Sequence, residues 1–329
     1  MKSSWTGFHS SLASGIDAFL AHKRALGCCF RVEEMSLRLF DRFLIQQSIP
    51  TLSAITADVV DAFLASRPRP APRSYNHLRG TLVRLFDWLA AHDRFGPSPV
   101  RARPRRSTRV RLPFLFDDAT ARRLLEIASR LPDNGGTVSR GPTYRVIFTV
   151  LYGLGLRVGE VARLRVEDVD LARDLLVIRR TKFYKSRLVP FGPGIRRVLR
   201  EHLARRARPS ETLSPTTPLF SLRSGRPVSA GTISLTFHHL LPQLRLTIPD
   251  GTTGPRVHDL RHAFAVGTLL RWYRSGVDPN TRLLHLSTFL GHVSPVSTAV
   301  YLTMTPDLLG EASGRFEQWA RAALLEVTP

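Results

Sequence analysis

The stretch His258-Asp259-Leu260-Arg261-His262-Ala263-Phe264 sets an arginine between two histidines where a helix begins. Four further features stand around it in a fixed order. Upstream lies Gly155-Leu156-Arg157-Val158-Gly159-Glu160, then a hairpin turn carrying Lys182 and Lys185. Downstream lies Leu290-Gly291-His292, with Tyr301 nine residues later. Each feature alone is ordinary: an arginine at a helix end is usually solvated or ion-paired, and a tyrosine is usually half-buried core. The ordered set of Arg157, Lys182, His258, Arg261, His292 and Tyr301 is not ordinary in one basic chain.

Around this set the pattern is mainly helical with a little strand. Asp117 is placed to cap a helix carrying Leu124, Leu125 and Leu131. Pro142 sits where a helix can begin, Tyr144 to Leu151 continue it, and Gly153 and Gly155 break it before Arg157. Val166 to Val169, Leu175 to Arg179 and Arg187 to Val189 read as strands, the last two forming a hairpin. From Gly194 onward the pattern is helical again.

The N-terminal third reads as four short helices. Phe8, Leu12, Ile16, Phe19 and Leu20 fall at helical spacing, as do Met35, Leu39, Phe40, Phe43 and Leu44. Thr56 is a plausible cap for a helix with Val59, Val60, Phe63 and Leu64, and the run Pro68 to Pro72 ends it. A fourth helix carries Leu78, Leu82, Leu85, Phe86 and Leu89. From Phe95 to Leu112 there are then three prolines, no acid, and Arg101, Arg103, Arg105, Arg106, Arg109 and Arg111. Prolines and like charges resist packing, so this reads as a linker. A neutral linker would serve with Ser and Gly; six unopposed arginines favour a strap on phosphates.

The chain has 329 residues and a formal net charge of +22, which points to a polyanionic partner, nucleic acid first. An overall bias toward arginine is the bland explanation, since 44 of 48 basic residues are Arg. Residues 1 to 112 hold 18 basic and 8 acidic residues, a net of +10, so they form the denser positive surface. No export signal or membrane span is visible. Cys28 and Cys29 are adjacent and fit core or helix-end thiols in a reducing cytoplasm. No acidic cluster has two-metal nuclease spacing, so neither metal nor cofactor is expected.

Residues from about 140 to 303 resemble the catalytic domain of tyrosine recombinases, including phage integrases and the Xer type. The resemblance rests on the motifs quoted above. It implies catalytic roles for Arg157, Lys182, His258, Arg261, His292 and Tyr301, with Glu160 supporting the first arginine. It implies a mainly α fold with a small β-sheet: a helical core-binding domain over 1–95, a basic linker over 96–112, and an α+β catalytic domain over 113–329. It further implies a 3′-phosphotyrosine intermediate, a C-shaped clamp on double-stranded DNA, and a homo-tetramer on two recombination sites, with helper proteins possible. The amphipathic tail from Pro306 to Pro329 fits packing on a neighbouring protomer or on its own domain.

The chemistry of these residue types agrees. Attack on an anionic phosphodiester builds charge on non-bridging oxygens, and Arg157 and Arg261 supply fork-like cationic donors. The phenol of Tyr301 is a poor nucleophile until nearby cations favour its ionised form. His258 can act as general base, and His292 can hydrogen-bond a phosphoryl oxygen. Lys182 can protonate the departing 5′ oxygen, which an arginine cannot do at working pH. Lys185 reads as a phosphate contact or a solvated turn residue. Asp259 reads as an acid of the helix start and His262 as structural support. The expected role is mobile-element integration or excision. A type IB topoisomerase and a non-catalytic architectural DNA-binding protein are the rivals; compact length and Xer-like motifs oppose the first, the intact six-residue set the second.

Overall fold

The computed structural model describes residues 7–106, 112–179, 186–207, 213–223, 225–292, 294–303, 309–311, 313, 314 and 317. These fall into two compact units, one ending at 106 and one starting at 112. No described helix is long and apolar enough to cross a membrane.

The first unit is four helices: α1 (Ala13–Ala25), α2 (Arg31–Gln46), α3 (Ala57–Ala65) and α4 (Pro72–Ala90). Thr56 caps α3 by accepting from the Val59 amide, and Pro72 opens α4, where its missing N–H costs nothing. The helices bury Ile16, Phe19, Leu37, Phe40, Phe63, Leu78, Leu82 and Phe86 in one core. Phe40 and Phe63 meet with ring centroids 4.9 Å apart. On α2 the buried stripe runs through Leu37, Phe40, Phe43 and Leu44, and Met35, expected on it, is 66% exposed.

The described part of the arginine run is held on this unit. Val100 and Ala102 pack against its core. The Asn76 amide bonds the backbone of Arg105 in both directions, at 2.7 and 2.8 Å. The Arg105 guanidinium lies 4.0 Å over the Tyr75 ring and donates to the Arg69 carbonyl at 2.7 Å. Arg101, Arg103 and Arg106 are exposed, whereas Arg109 and Arg111 lie outside the described residues.

The second unit begins with α5 (Asp118–Ser129), capped by Asp117, and α6 (Arg140–Gly153). Helix α6 is the centre of the core, with Tyr144, Val146, Ile147, Phe148, Val150 and Leu151 all buried. One turn, α7 (Val158–Val161), precedes an antiparallel sheet in the order β1 (Val169–Asp170), β2 (Leu175–Ile178), β3 (Arg187–Pro190). Ile178 pairs with Arg187, so β2 and β3 form the expected hairpin. Its turn, with Lys182 and Lys185, lies outside the described residues. Next come α8 (Pro193–Arg206), the small hairpin β4 (Ser221–Arg223) and β5 (Arg226–Pro227), α9 (Ala230–Leu244), α10 (Asp259–Arg274), α11 (Pro279–Leu290) and α12 (Val296–Ala299). A 3₁₀ turn, Val300–Thr303, follows, and most of the tail lies outside the described residues.

Two local expectations need correcting. Val166 to Val169 is mostly not strand: Val166–Asp168 is a 3₁₀ turn, because the buried Asp168 carboxylate caps it through the Arg165 amide at 2.9 Å. The span after Gly194 is not wholly helical, since it holds β4 and β5, which are too short to show a period.

Candidate active site

The second unit draws two of its loops together around a buried arginine. Arg261, in the first turn of α10, is 1% exposed. Its guanidinium donates to the Gly155 and Leu290 carbonyls, each at 2.7 Å. Gly155 has φ +57°, and a Cβ there would stand 2.5 Å from the Phe264 ring. Glycine therefore lets the loop before α7 approach α10 closely enough to offer its carbonyl. Carbonyls hold the guanidinium without cancelling its charge. Burial and then the nearby Arg157 lower the Arg261 pKa to about 10, which still leaves it cationic at neutral pH.

Arg157 is the N-cap of α7. Its guanidinium donates to Glu160 at 2.9 Å and to the Gly291 carbonyl at 2.8 Å, and its backbone amide donates to Glu160 at 2.9 Å. Glu160 is 4% exposed and is also gripped by Arg187, whose two terminal nitrogens lie 2.9 Å from the two carboxylate oxygens. Burial alone would raise the Glu160 pKa, but the bonds and charges of Arg187 and Arg157 outweigh it and bring it to about 2. Arg187 is fixed in turn by the Phe289 carbonyl at 2.8 Å. Gly291, the left-handed cap of α11 with φ +68°, leaves it room: a Cβ there would meet Arg187 Nη1 at 2.8 Å. Three guanidinium groups against one carboxylate leave a surplus of two positive charges in this part of the unit.

Tyr301, in the 3₁₀ turn after α12, is 4% exposed. Burial raises its pKa, while Arg261 and Arg157 pull it down. The His292 ring lies parallel to the Tyr301 ring, with centroids 6.3 Å apart. His292 Nδ1 is bonded to the buried Thr298 hydroxyl at 2.7 Å. Desolvation, then the charges of Arg261, Arg157 and Arg187, lower the His292 pKa to about 4. His258 precedes α10 and keeps an exposed edge, yet desolvation by its neighbours, then His262, Arg261, Arg157 and Arg256, lower its pKa as well. Both rings are thus neutral at pH 7 and can accept protons.

Five of the six expected catalytic residues and Glu160 therefore come together in one unit; Lys182 lies outside the described residues. The Tyr301 phenol shares a hydrogen bond with His262, whose Nδ1 is 2.9 Å from Oη. Among the described hydrogen bonds none joins His258 to that phenol. The sequence reading leaves out Arg187 and takes His262 as structural support only. Arg187 carries no local mark among 44 arginines. His262 did carry one: it stands four residues after His258 on α10, so both rings share a face and meet edge to face at 4.8 Å. Among the described residues, no three His, Cys, Asp or Glu side chains are grouped to hold a metal ion.

Residues 116–307 match the model of the phage integrase family. The chain belongs to that family. Over 94% of its length it is 36% identical to a Sinorhizobium fredii protein named "Putative integrase/recombinase y4rB", covering 98% of that relative. It is 32% identical to the tyrosine recombinase XerC of Lacticaseibacillus casei over 49% of this chain and 50% of that one. Among solved structures, the Tn1549 transposon integrase bound to transposon right-end DNA matches with a TM-score of 0.62 at 15% identity, covering 93% of this chain and 99% of that one. A lambda integrase dimer bound to a core site matches with a TM-score of 0.61 at 19% identity, covering 90% and 77%. These structures share the fold. As a phage integrase family member, the protein is a tyrosine site-specific recombinase.

Proposed function

We propose that Tyr301 attacks the scissile phosphate of duplex DNA, forming a 3′-phosphotyrosine and freeing a 5′-hydroxyl. Arg157, Arg261, His258 and His292 bind the phosphoryl oxygens, Lys182 protonates the departing 5′ oxygen, and Glu160 with Arg187 fixes Arg157. The observation that carries this reading is a phenol only 4% exposed in the same unit as Arg261 and Arg157; burial raises its pKa, and the two arginines oppose that rise. Permanent positive charge there stabilises the charge that builds on phosphorus-bound oxygens. The phosphotyrosine keeps the free energy of the broken ester, so a partner strand's 5′-hydroxyl can reverse the step without an energy source.

The first unit, with Arg101, Arg103, Arg105, Arg106 and Arg109, and Lys185 of the second, would hold the DNA backbone. The working form is a homo-tetramer on two sites in the cytoplasm, serving integration or excision of a mobile element. The near full-length likeness to a relative named integrase/recombinase supports that role. The test is to trap covalent protein–DNA complexes in cells and sequence the attached DNA. The wild-type chain should recover a defined site and Tyr301→Phe none. A protease-sensitive link in that variant would move the nucleophile elsewhere, Tyr273 being the next to try.

A further inference from the structure

The phenol proton must leave Tyr301 for the attack to proceed, and the ring that touches that oxygen is His262. Its Nδ1 lies 2.9 Å from the Tyr301 Oη, and the two rings are 5.5 Å apart. On the far side of the ring, Nε2 faces the Asp259 carboxylate at 3.9 Å. That is too long for a hydrogen bond but close enough for charge to orient the ring. Asp259 is itself fixed: it is fully buried and accepts from the Arg256 amide at 2.9 Å and the Arg256 guanidinium at 3.0 Å. With the ring hydrogen on Nε2, toward the carboxylate, Nδ1 presents a lone pair and the phenol donates to it. Carboxylate, imidazole and phenol oxygen then follow one another in the order that activates hydroxyl nucleophiles elsewhere.

We propose that His262, oriented by Asp259, is the general base that takes the phenol proton of Tyr301, leaving His258 to the phosphoryl oxygens. The inference rests on the reading of Tyr301 as nucleophile. In cleavage the Oη–P bond forms as the phenol proton passes to His262 Nδ1. The P–O5′ bond breaks, and the 5′ oxygen takes its proton from Lys182. In rejoining, the 5′-hydroxyl attacks phosphorus and gives its proton back to Lys182. The P–Oη bond breaks, and the phenolate recovers its proton from His262. The groups facing His262 are Asp259 and Arg256 beneath it, Arg261 and His258 along α10, and Tyr301 and His292 across from it. Burial lowers its pKa, Asp259 opposes that, and Arg256 and Arg261 add to it. The ring is therefore neutral and ready to accept at pH 7, and the imidazolium it becomes faces a carboxylate.

The test is His262→Asn, measured in single-turnover cleavage of a nicked duplex carrying the site recovered by trapping. Asparagine keeps a polar atom near the place of Nδ1 but cannot take the proton. Cleavage should fall by about 10²–10⁴-fold, and the deficit should shrink as pH rises and the phenol ionises unaided. A second substrate separates chemistry from damage to the fold. DNA bearing a 3′-nitrophenyl phosphate can be ligated by a 5′-hydroxyl without Tyr301, because nitrophenolate leaves without needing a proton. On that substrate the deficit of His262→Asn should shrink to a few-fold. Cleavage by His262→Asn within about threefold of wild type would overturn the proposal. So would a loss that is independent of pH and equal on both substrates, which would make His262 a structural residue. If the wild-type chain forms no covalent adduct on the nicked duplex, the parent reading of Tyr301 fails instead.

Discussion

The two units bury charge in opposite ways. In the first, the buried polar and charged side chains among the described residues are Ser36, Asp41 and Thr81. Asp41 only receives the His9 and Ser10 amides, which ties down the chain ahead of α1. In the second, Glu160, Asp168, Asp259 and Arg261 are all buried. Replacing buried ion pairs with well-packed apolar groups is often neutral or stabilising, so such charges are poor devices for stability. Arg261 makes the point most clearly, since its bonded partners are two carbonyls and not a carboxylate. The first unit uses its burial to hold together. The second gives up part of that gain to keep positive charge near the Tyr301 phenol.

That contrast breaks most sharply if proton delivery can be removed while the buried arginines stay in place. Lys182→Ala should slow cleavage of the recovered site by about 10²–10⁴-fold, the usual loss when a general acid is missing. A bridging 5′ sulfur leaves without a proton, so this variant should cut a 5′-thio site nearly as fast as the wild type. Arg157→Ala should gain no such rescue, because sulfur does not replace its charge on the non-bridging oxygens. Rescue of Lys185→Ala instead would exchange the roles of the two lysines.

A smaller effect separates the units by pH. Glu160 has its folded-state pKa near 2, below the ordinary 4.5. A depressed carboxyl pKa gives stability that is present above the unfolded value and lost as pH falls toward the folded value. Across pH 5 to 2 the second unit should lose on the order of 3 kcal/mol through this group, at about 1.4 kcal/mol per pKa unit. Urea unfolding at several pH values would measure it, and Glu160→Gln should flatten that part of the curve. A curve of unchanged slope would mean that the grip of Arg157 and Arg187 on Glu160 does not persist in solution.

How much of this was legible beforehand depended on sequence distance. The four helices of the first unit repeat apolar residues every three or four positions, so spacing alone located them. The site was legible where a motif is local, as in His258 to Phe264, or where order along the chain is diagnostic, as for Arg157 and Tyr301. Arg187 was not legible, because its importance comes from meeting Glu160, 27 positions away, across a fold that no local pattern encodes. The ring that hydrogen-bonds the phenol was not legible for a related reason. The helix places His258 and His262 on one face, but only the turn that brings Tyr301 back to α10 decides which ring it meets.

The smallest effect lies within the arginine run, where no local pattern tells one arginine from another. Arg103 and Arg106 are exposed, whereas Arg105 is engaged by the Tyr75 ring and the Arg69 carbonyl. A cation over an aromatic ring contributes about 0.5–1 kcal/mol at an exposed site, and the added hydrogen bond is worth about as much. Arg105→Gln should therefore lower the first unit's stability by about 1 kcal/mol, read as a shift in its denaturation midpoint. Arg103→Gln and Arg106→Gln should leave that midpoint in place. Each phosphate contact releases counterions, so losing one should reduce the slope of log affinity against log salt by about 0.9. The pair Arg103→Gln and Arg106→Gln should flatten that slope and weaken binding to all sequences alike, whereas Arg105→Gln should flatten it less. The ordering matters more than the size: an arginine already held against Tyr75 has less freedom to follow a phosphate than one held only by solvent. Equal slope changes for Arg103→Gln and Arg105→Gln would show that DNA pulls Arg105 off Tyr75, and that the run is a uniform strap after all.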